Sequence, residues 1–317
     1  MPENSPLTVN QLSKSYNSKK VLQELNFELP AGEITTILGA NGTGKTTLIE
    51  CCEGLRKPDQ GEIRIFNTAI SKLMSTQKEK IGVMLQNGGL PTAVSAKMLL
   101  SHFQSLYTDT YSIEYLNEAL ELSTYWQTKV RNLSIGQRQK VALALAIVGK
   151  PKLLFLDEPT AGADPQTQRS IWALINTLKS QGATILLSTH NLKEAEENSD
   201  YVAFLKQGQV SDFGPVGEVL KTNTKQVATV RPLANQHTQT LSLIQELITA
   251  PQNNLNWQIA DYNPQRITLS GDISIQGAAQ LLNHFAKNDH MISGIDLNKN
   301  SLEEKFFELI EKDHRAN

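Results

Sequence analysis

The chain has 317 residues, with 30 Lys or Arg against 32 Asp or Glu, so its formal net charge is −2 at pH 7. This length suffices for about two domains with ordinary cores. The balanced charge argues against a protein held to nucleic acid or anionic lipid by a broad basic field. The two cysteines, Cys51 and Cys52, are adjacent, which excludes a disulfide framework or a zinc site and favours a reducing compartment.

The sequence contains no pattern typical of a secretory signal or a membrane span. The start, MPENSPLTVNQL, lacks a basic segment followed by an apolar one. The longest apolar run is Val141–Val148, whereas a spanning helix needs about 20 such residues. We therefore expect a chain that does not itself cross a membrane.

Strand and helix patterns alternate over about the first 220 residues, as in an α/β domain with a mostly parallel sheet. Leu7–Leu12 and Val21–Leu29 alternate apolar and polar residues, which predicts half-buried antiparallel strands. Four other runs are almost wholly apolar, which is typical of strands covered on both faces. These runs are Glu33–Leu38, Lys152–Leu156, Ala183–Ser188 and Tyr201–Leu205.

A helical block interrupts this pattern. Ala96–Tyr107, Ile113–Leu122 and Gln137–Val148 have the periodicity of helices. We therefore predict a helical subdomain at about residues 87–150, inserted into a cassette that extends over residues 1–222.

A second, smaller α+β domain is predicted for residues 223–317. Strand and helix patterns after about Leu220 come in the order βαββαβ, which is that of the ferredoxin-like fold. Ser301 then begins a capping-box pattern, Ser-Leu-Glu-Glu, in front of an apolar helix face. The histidines of this region lack metal-ligand spacing and are expected at the surface; they are His237, His284, His290 and His314.

The segment Gly39–Thr47, GANGTGKTT, matches the phosphate-binding pattern G-x-x-x-x-G-K-[ST]. A predicted strand precedes it and a helical pattern follows it, so loop N–H groups and the helix dipole form a nest for phosphate oxygens. Lys45 supplies a cation for the β and γ phosphates, and Thr46 supplies a hydroxyl ligand for Mg²⁺. The candidate nucleotide-binding residues are Gly39, Asn41, Gly42, Gly44, Lys45, Thr46 and Thr47.

A second site follows the apolar strand in Lys152–Glu158, KLLFLDE. The strand delivers Asp157 at its carboxyl end, where open parallel sheets bind their ligands. A carboxylate there can hold the Mg²⁺ shell. Glu158, next to it, is then free to orient or deprotonate a water molecule.

Between these sites, Ser134 and Gly136 lie just before Gln137, where a helical pattern opens. A small polar residue at a helix start leaves N–H groups and a positive dipole end for an anion. The run LSIGQ resembles the LSGGQ signature of ATP-binding-cassette (ABC) ATPases. Its place before KLLFLDE is the order of that family.

Four further elements resemble those of the ABC family. Tyr16 resembles the aromatic residue that stacks on adenine, and Gln86 resembles the glutamine that senses Mg²⁺ and links to the helical subdomain. Ala161–Asp164, AGAD, stands where the family has its D-loop. His190 resembles the switch histidine that contacts the γ-phosphate. The resemblance covers about residues 5–220 and is specific because the motifs occur together and in order.

The resemblance implies a P-loop ABC cassette with an antiparallel β subdomain and an inserted helical subdomain. It further implies hydrolysis of ATP with Mg²⁺, in which Glu158, His190 and Gln86 act in catalysis. Tyr16, Ser134, Gly136 and Gln137 would join the phosphate loop in binding nucleotide. The implied metal residues are Thr46, Gln86 and Asp157.

A head-to-tail dimer follows from the same resemblance, with the phosphate loop of one subunit facing Ser134 and Gly136 of the other across ATP. The region from about residue 225, with its ending SLEEKFFELIEK, resembles the extra domain of ATPases that pair with ABC-2-type exporters. The implied partners are a separately encoded polytopic permease and a second ATPase, identical or related. The implied location is the cytoplasmic face of a prokaryotic membrane, and no nucleic acid is expected.

Two departures from the family pattern bear on turnover. Ile135 stands where the signature usually has its first glycine, and the D-loop reads AGAD instead of the commoner SGLD. A β-branched residue is strained at positive φ. If Ile135 starts a helix, it is harmless.

Two alternative functions remain open from the sequence. A soluble ABC ATPase that acts on ribosomes or nucleic acid usually has two cassettes or a coiled-coil insertion, which this chain lacks. A P-loop kinase or GTPase leaves LSIGQ and His190 unexplained.

Two interpretations remain open for the apolar residues Leu90, Val94, Met98 and Leu99. They form a surface that contacts a permease, or they are simply buried within the helical subdomain.

Overall fold

The computed structural model describes residues 5–84, 89–220, 226–250, 255–271, 273–298, 301–303 and 305–306. Its contacts divide the chain into two compact units, Met1–Val219 and Leu220–Asn317. The predicted boundary between residues 222 and 223 falls a few residues further along the chain. Within the described residues, no helix combines the length and apolar character needed to cross a bilayer.

The first unit contains an antiparallel sheet with the strand order β2-β1-β4-β5. Alternation of buried and exposed residues along β1 and β2 places one face of this sheet on a core. Cys51 and Cys52 are buried in that core as free thiols. The strands are β1 (Leu7–Tyr16), β2 (Lys19–Glu28), β4 (Gln60–Ile65) and β5 (Thr68–Ala69).

The central sheet of this unit has the order β10-β9-β3-β8-β7-β6. All neighbours pair in parallel except β10 with β9. Every residue of β3, β7 and β8 is buried, as expected for strands covered on both faces. The strands are β3 (Ile34–Leu38), β6 (Ile81–Met84), β7 (Leu153–Asp157), β8 (Thr184–Ser188), β9 (Tyr201–Lys206) and β10 (Gln209–Pro215).

Eight α-helices belong to the described part of this unit, besides three short 3-10 helices. Residues of the third, fourth and fifth helices form one hydrophobic core with the sixth and with β7 and β8, so the inserted helical block is anchored to the sheet. The predicted helices lie here, although the third ends earlier and the fifth begins earlier than predicted. They are α1 (Lys45–Glu53), α2 (Ser75–Lys78), α3 (Ala96–Gln104), α4 (Ile113–Leu120), α5 (Ile135–Ile147), α6 (Pro165–Ser180), α7 (Leu192–Asn198) and α8 (Val216–Val219).

The second unit is an antiparallel sheet with the order β12-β13-β11-β14 and two helices, which confirms the ferredoxin-like prediction. Residues 302–303 and 305–306 are helical; the rest of the predicted closing helix lies outside the described residues. The elements are β11 (Gln226–Pro232), α9 (His237–Thr249), β12 (Trp257–Asn263), β13 (Arg266–Gly271), α10 (Ile275–Lys287) and β14 (Ile292–Asn298).

One histidine prediction in this unit is wrong. His290 is 7% exposed and not at the surface. Its Nε2 lies 2.8 Å from the Thr240 hydroxyl, and its ring lies beside Phe285. A histidine without metal-ligand spacing can therefore be a core residue whose polar atom finds a local partner. His314 lies outside the described residues.

Candidate functional site

The phosphate-binding loop lies between the buried strand β3 and helix α1, as its sequence pattern requires. Gly42 and Gly44 have φ values of 80° and 106°, a region that side chains with a Cβ rarely adopt. At Gly39, a Cβ would lie 2.5 Å from the Leu205 carbonyl oxygen. The loop can therefore form this curl only with glycine at these positions.

Lys45 opens α1 and folds back over the loop. Its Nζ donates to the carbonyl oxygens of Gly39 at 2.7 Å and Ala40 at 3.2 Å. Burial lowers the pKa of Lys45, and the charges of Glu158 and Asp157 oppose that shift. The lysine thus sits between the loop and two carboxylates, where a phosphate would complete its hydrogen bonds. Thr46 and Thr47 follow it in the first turn, half-buried, and Asn41 is exposed on the loop.

The two acidic residues predicted as a pair lie at the carboxyl end of β7. Asp157 is 4% exposed and accepts a hydrogen bond from the Ser188 hydroxyl, at the end of the neighbouring strand β8. The backbone N–H of Glu158 donates to both the carbonyl and the hydroxyl oxygen of Ser188, each at 3.2 Å. Glu158 has a φ of 53°. Ser188 therefore fixes both acidic residues.

His190 lies next to Glu158. Its Nδ1 is 2.7 Å from Glu158 Oε2, and its side chain is 64% exposed while that of Glu158 is 10% exposed. The next residue, Asn191, caps α7 by accepting a hydrogen bond from the Glu194 N–H at 3.2 Å. The predicted histidine and carboxylate thus form one pair at adjacent strand ends, with the histidine facing solvent.

Ser134 caps helix α5 and Ile135 is its first residue. Ser134 and Gln137 form a capping box, with hydrogen bonds of 2.9 and 3.2 Å. Ile135 is not among the residues with positive φ, so it carries no backbone strain. It packs beside Gly162 of the D-loop segment, where an added Cβ would lie 3.2 Å from Ile135 Cγ2.

The signature segment stands apart from the phosphate loop. Among the described residues, no hydrogen bond or ion pair joins Ser134, Gly136 or Gln137 to Gly39–Thr47. Instead, Gly136 packs on Thr167 of α6. A cavity of about 550 Å³ is lined by Ile135, Gln139 and Glu158 among others. One chain therefore brings the phosphate loop, Asp157, Glu158 and His190 together, and Ile135 of the signature shares a cavity with Glu158. Ser134, Gly136 and Gln137 form no described bond with the phosphate loop itself.

Tyr16 ends strand β1 and is 37% exposed. The Arg56 guanidinium carbon lies 5.2 Å from its ring centroid and Lys14 Nζ 5.7 Å, within the range of cation–π attraction. Arg56 is paired with Glu50 at 2.6 Å. The ring is thus exposed and flanked by cations, which suits an aromatic platform.

Gln86 lies outside the described residues. Sequence reasoning missed Ser188, which contacts both acidic residues, and Glu194, which accepts from three segments near His190. Ser188 had a usable signal, since it is a polar residue at the carboxyl end of an apolar run, as Asp157 is. Glu194 had none, because it reads as an ordinary helix glutamate.

Protonation of Glu53, at the end of α1, should make the stability of the protein depend on pH. Neither of its carboxylate oxygens, both buried, accepts a hydrogen bond from the described residues. Burial first, then the charges of Asp157 and Glu50, raise its pKa to about 8. Between the unfolded value, about 4.3, and that value only the folded state holds the proton. Stability therefore falls as the pH rises through this window, by about 1.4 kcal/mol per pH unit.

We expect Glu53→Gln to remove this dependence. Its Tm should exceed that of the unaltered protein by about 10 °C or more at pH 8.5 and by far less at pH 5, since this window amounts to about 5 kcal/mol and about 1 kcal/mol shifts Tm by about 2–4 °C at this domain size. Differential scanning calorimetry without nucleotide at both pH values measures it. Glu197→Gln, at an exposed α7 position, is the control, and an equal Tm gain at both pH values would contradict the assignment.

Comparisons with known proteins agree with this geometry. A family model described as ABC transporter matches residues 22–161. The chain is 31% identical over 223 residues to the daunorubicin resistance ATP-binding protein DrrA3 of Streptomyces coeruleorubidus, covering 69% of this chain and 70% of that protein. It is 34% identical over 203 residues to the Nod factor export ATP-binding protein I of Rhizobium johnstonii, covering 62% and 65%.

A further relative is much longer. The chain is 35% identical over 218 residues to the glucosylceramide transporter ABCA12 of Homo sapiens, covering 65% of this chain but 8% of that protein. A solved dimeric ATP-binding cassette in a post-hydrolysis state, bound to ADP and Pi, is similar with a TM-score of 0.60 and 26% identity, covering 66% of this chain and 98% of that one. The chain therefore belongs to the ABC transporter family, and its cassette is that of an ATP-binding, ATP-hydrolysing enzyme.

Proposed function

We propose that this chain is the ATP-hydrolysing subunit of a membrane ABC transporter of the exporter type. The observation that carries the proposal is the Glu158–His190 pair, 2.7 Å apart, at strand ends adjacent to the loop that holds Lys45. Glu158 would polarise the attacking water, and His190 would hold that water and the γ-phosphate in line. Support for export comes from two relatives, which are named for Nod factor export and for daunorubicin resistance.

Mg²⁺ would be held by Thr46 and Asp157, with Gln86 as a further proposed ligand. The donor set fits, because a hydroxyl and a carboxylate are the hard oxygen ligands that Mg²⁺ takes. Ser188 binds Asp157 Oδ1, which orients the carboxylate. The ion would neutralise charge on the phosphate oxygens when bound.

The nucleotide would be shared by two copies of the cassette. The phosphate loop, Lys45 and Tyr16 would bind ATP from one side, while Ser134, Gly136 and Gln137 of a second subunit would face it from the other. The lack of described hydrogen bonds between the signature and the phosphate loop within one chain supports this arrangement, as does the dimeric structural neighbour. Loss of the γ-phosphate would then remove the charge that joins the two copies.

A separately encoded polytopic permease is the proposed membrane partner, and the helical subdomain is its proposed docking region, at the cytoplasmic face of the membrane. Of the four candidate coupling residues, Leu99 is buried in the subdomain core, and Leu90 and Val94 pack partly against it. Met98, 61% exposed, is free for a partner. The alternative is a soluble ABC ATPase on ribosomes or nucleic acid, favoured by no contact or patch described above.

Purification of the tagged chain from gently solubilised membranes of its host, with identification of co-purifying proteins by mass spectrometry, tests this proposal. We expect a polytopic membrane protein in stoichiometric amount and ATPase activity in the complex. Recovery only in the soluble fraction, with ribosomes or nucleic acid, would overturn the transporter role while leaving ATP hydrolysis in place.

A further inference from the structure

We propose that Glu194 is a positioning residue for hydrolysis, which holds the switch loop in register with the segment that follows Glu158. The inference rests on the role proposed above for His190. It concerns a helix glutamate that lies outside every motif of the cassette. Three hydrogen bonds and their places in the chain carry it.

The Glu194 carboxylate is buried and bound on both oxygens. The residue is 9% exposed. Its Oε2 accepts from the Thr160 hydroxyl at 2.6 Å and from the Trp172 indole N–H at 3.1 Å, and its Oε1 accepts from Asn191 Nδ2 at 2.9 Å. Indole and amide N–H groups are donors only, so the carboxylate acts here purely as an acceptor. A buried carboxylate is tolerated when it is hydrogen-bonded in this way.

The three donors come from three segments around the reaction centre. Thr160 is two residues after Glu158, Asn191 directly follows His190, and Trp172 lies in α6, the helix that the D-loop residue Asp164 caps. One side chain therefore joins the loop after the water-polarising carboxylate, the switch loop and the helix behind the D-loop.

The hydrogen bonds of Glu194 matter for His190 because its ring is mostly exposed and has little packing to hold it in place. The described hydrogen bond of the ring is the one to Glu158 Oε2, at 2.7 Å. Its backbone neighbour Asn191 is fixed through Glu194, to which it both donates and accepts. Glu194 thus constrains both ends of the His190–Glu158 pair, and none of its described hydrogen bonds reaches the phosphate loop. Loss of the Glu194 hydrogen bonds should therefore slow hydrolysis and leave ATP binding unchanged.

Glu194→Gln keeps the size of the side chain but replaces one acceptor oxygen by an NH₂ group. If that group faces Asn191, two donors meet, and Asn191 cannot turn its amide without losing the α7 cap. If it faces Thr160 and Trp172, their donors lose the acceptor. We expect kcat to fall about 10- to 100-fold, since misplacement by about 1 Å costs this much. The KM for ATP should stay within about twofold, and Glu197→Gln, exposed on the same helix, should match the unaltered enzyme.

A double-mutant cycle with His190→Ala separates positioning from general loosening of the fold. Single-turnover hydrolysis of radiolabelled ATP is measured in the four proteins, with Tm alongside. If Glu194 acts through the His190–Glu158 pair, Glu194→Gln causes a much smaller loss of rate in the His190→Ala background than in the unaltered enzyme. An equal fold-loss in both backgrounds, an unchanged kcat, or a raised KM would each overturn the inference.

If Glu194→Gln does not fold, Thr160→Val replaces it in the same cycle, because it removes a single donor at constant volume. The cycle also separates this inference from the proposed function. Full turnover in His190→Ala alone would overturn this inference and the role proposed for His190, but not the transporter assignment. A large loss in His190→Ala, with an additive loss in the double variant, would overturn only the positioning role.

Discussion

Glu158→Gln is expected to bind ATP with unchanged affinity and to hydrolyse it about 10²- to 10⁴-fold more slowly, the usual range for loss of a positioned general base. The amide keeps the shape of the side chain, which is 10% exposed and in contact with His190 Nδ1. It cannot accept a proton from water. The backbone contacts of residue 158 with Ser188 do not involve the carboxylate, so the loop should keep its form.

The same variant should accumulate as an ATP-bound dimer, because the two copies would separate only after hydrolysis and hydrolysis is slow in this variant. Size-exclusion chromatography with light scattering, with ATP and with ADP, measures the mass, and phosphate release measures turnover. Glu197→Gln controls for the loss of one acidic charge. Undiminished turnover in Glu158→Gln would contradict the assigned role, and a monomer in ATP would contradict the dimer.

Lys45→Met is expected to weaken the affinity for ATP strongly. Truncating one partner of a buried, hydrogen-bonded charge pair costs about 2 kcal/mol or more, which is at least about 30-fold in Kd. Lys45 Nζ is held over the loop by two carbonyl oxygens, poised for phosphate. Titration with a fluorescent ATP analogue gives the Kd directly.

The nucleotide-free Lys45→Met protein should keep its Tm within a few degrees. Burial lowers the pKa of Lys45, which means that its charge is destabilising in the nucleotide-free protein. Methionine is uncharged and avoids this cost. Lys57→Met, at an exposed position after α1, should bind ATP as the unaltered protein does. Tight binding by Lys45→Met would show that the loop holds phosphate through its backbone alone.

The sequence predicted the elements whose signals are local. Continuous apolar runs, in place of alternating apolar and polar residues, indicated the buried strands β3, β7 and β8. The order of strand and helix patterns after residue 225 indicated the ferredoxin-like unit. Element ends were less predictable. The fifth helix begins at Ile135 instead of Gln137 because the Ser134–Gln137 capping box includes two further residues.

Contacts between distant segments were not predictable. His290 reads as a surface residue, yet the pairing of α9 with α10 buries it against Thr240. Glu53 ends helix α1, which packs on β7 and β8, and both of its carboxylate oxygens are buried without a described hydrogen bond. In both cases the polar environment depends on residues far away in the chain.

The amino-acid sequence by itself determined the chemistry of this protein: a glycine loop that only small residues can curl, a lysine and hydroxyls for phosphate and metal, and two carboxylates after an apolar strand. These are properties of residue type and spacing, so they can be recognised from the sequence. Only the tertiary structure decided that His190 meets Glu158, that Ser188 fixes both acidic residues, and that Glu194 joins two loops and helix α6. Such contacts arise because the adjacent parallel strands β7 and β8 bring their carboxyl ends together.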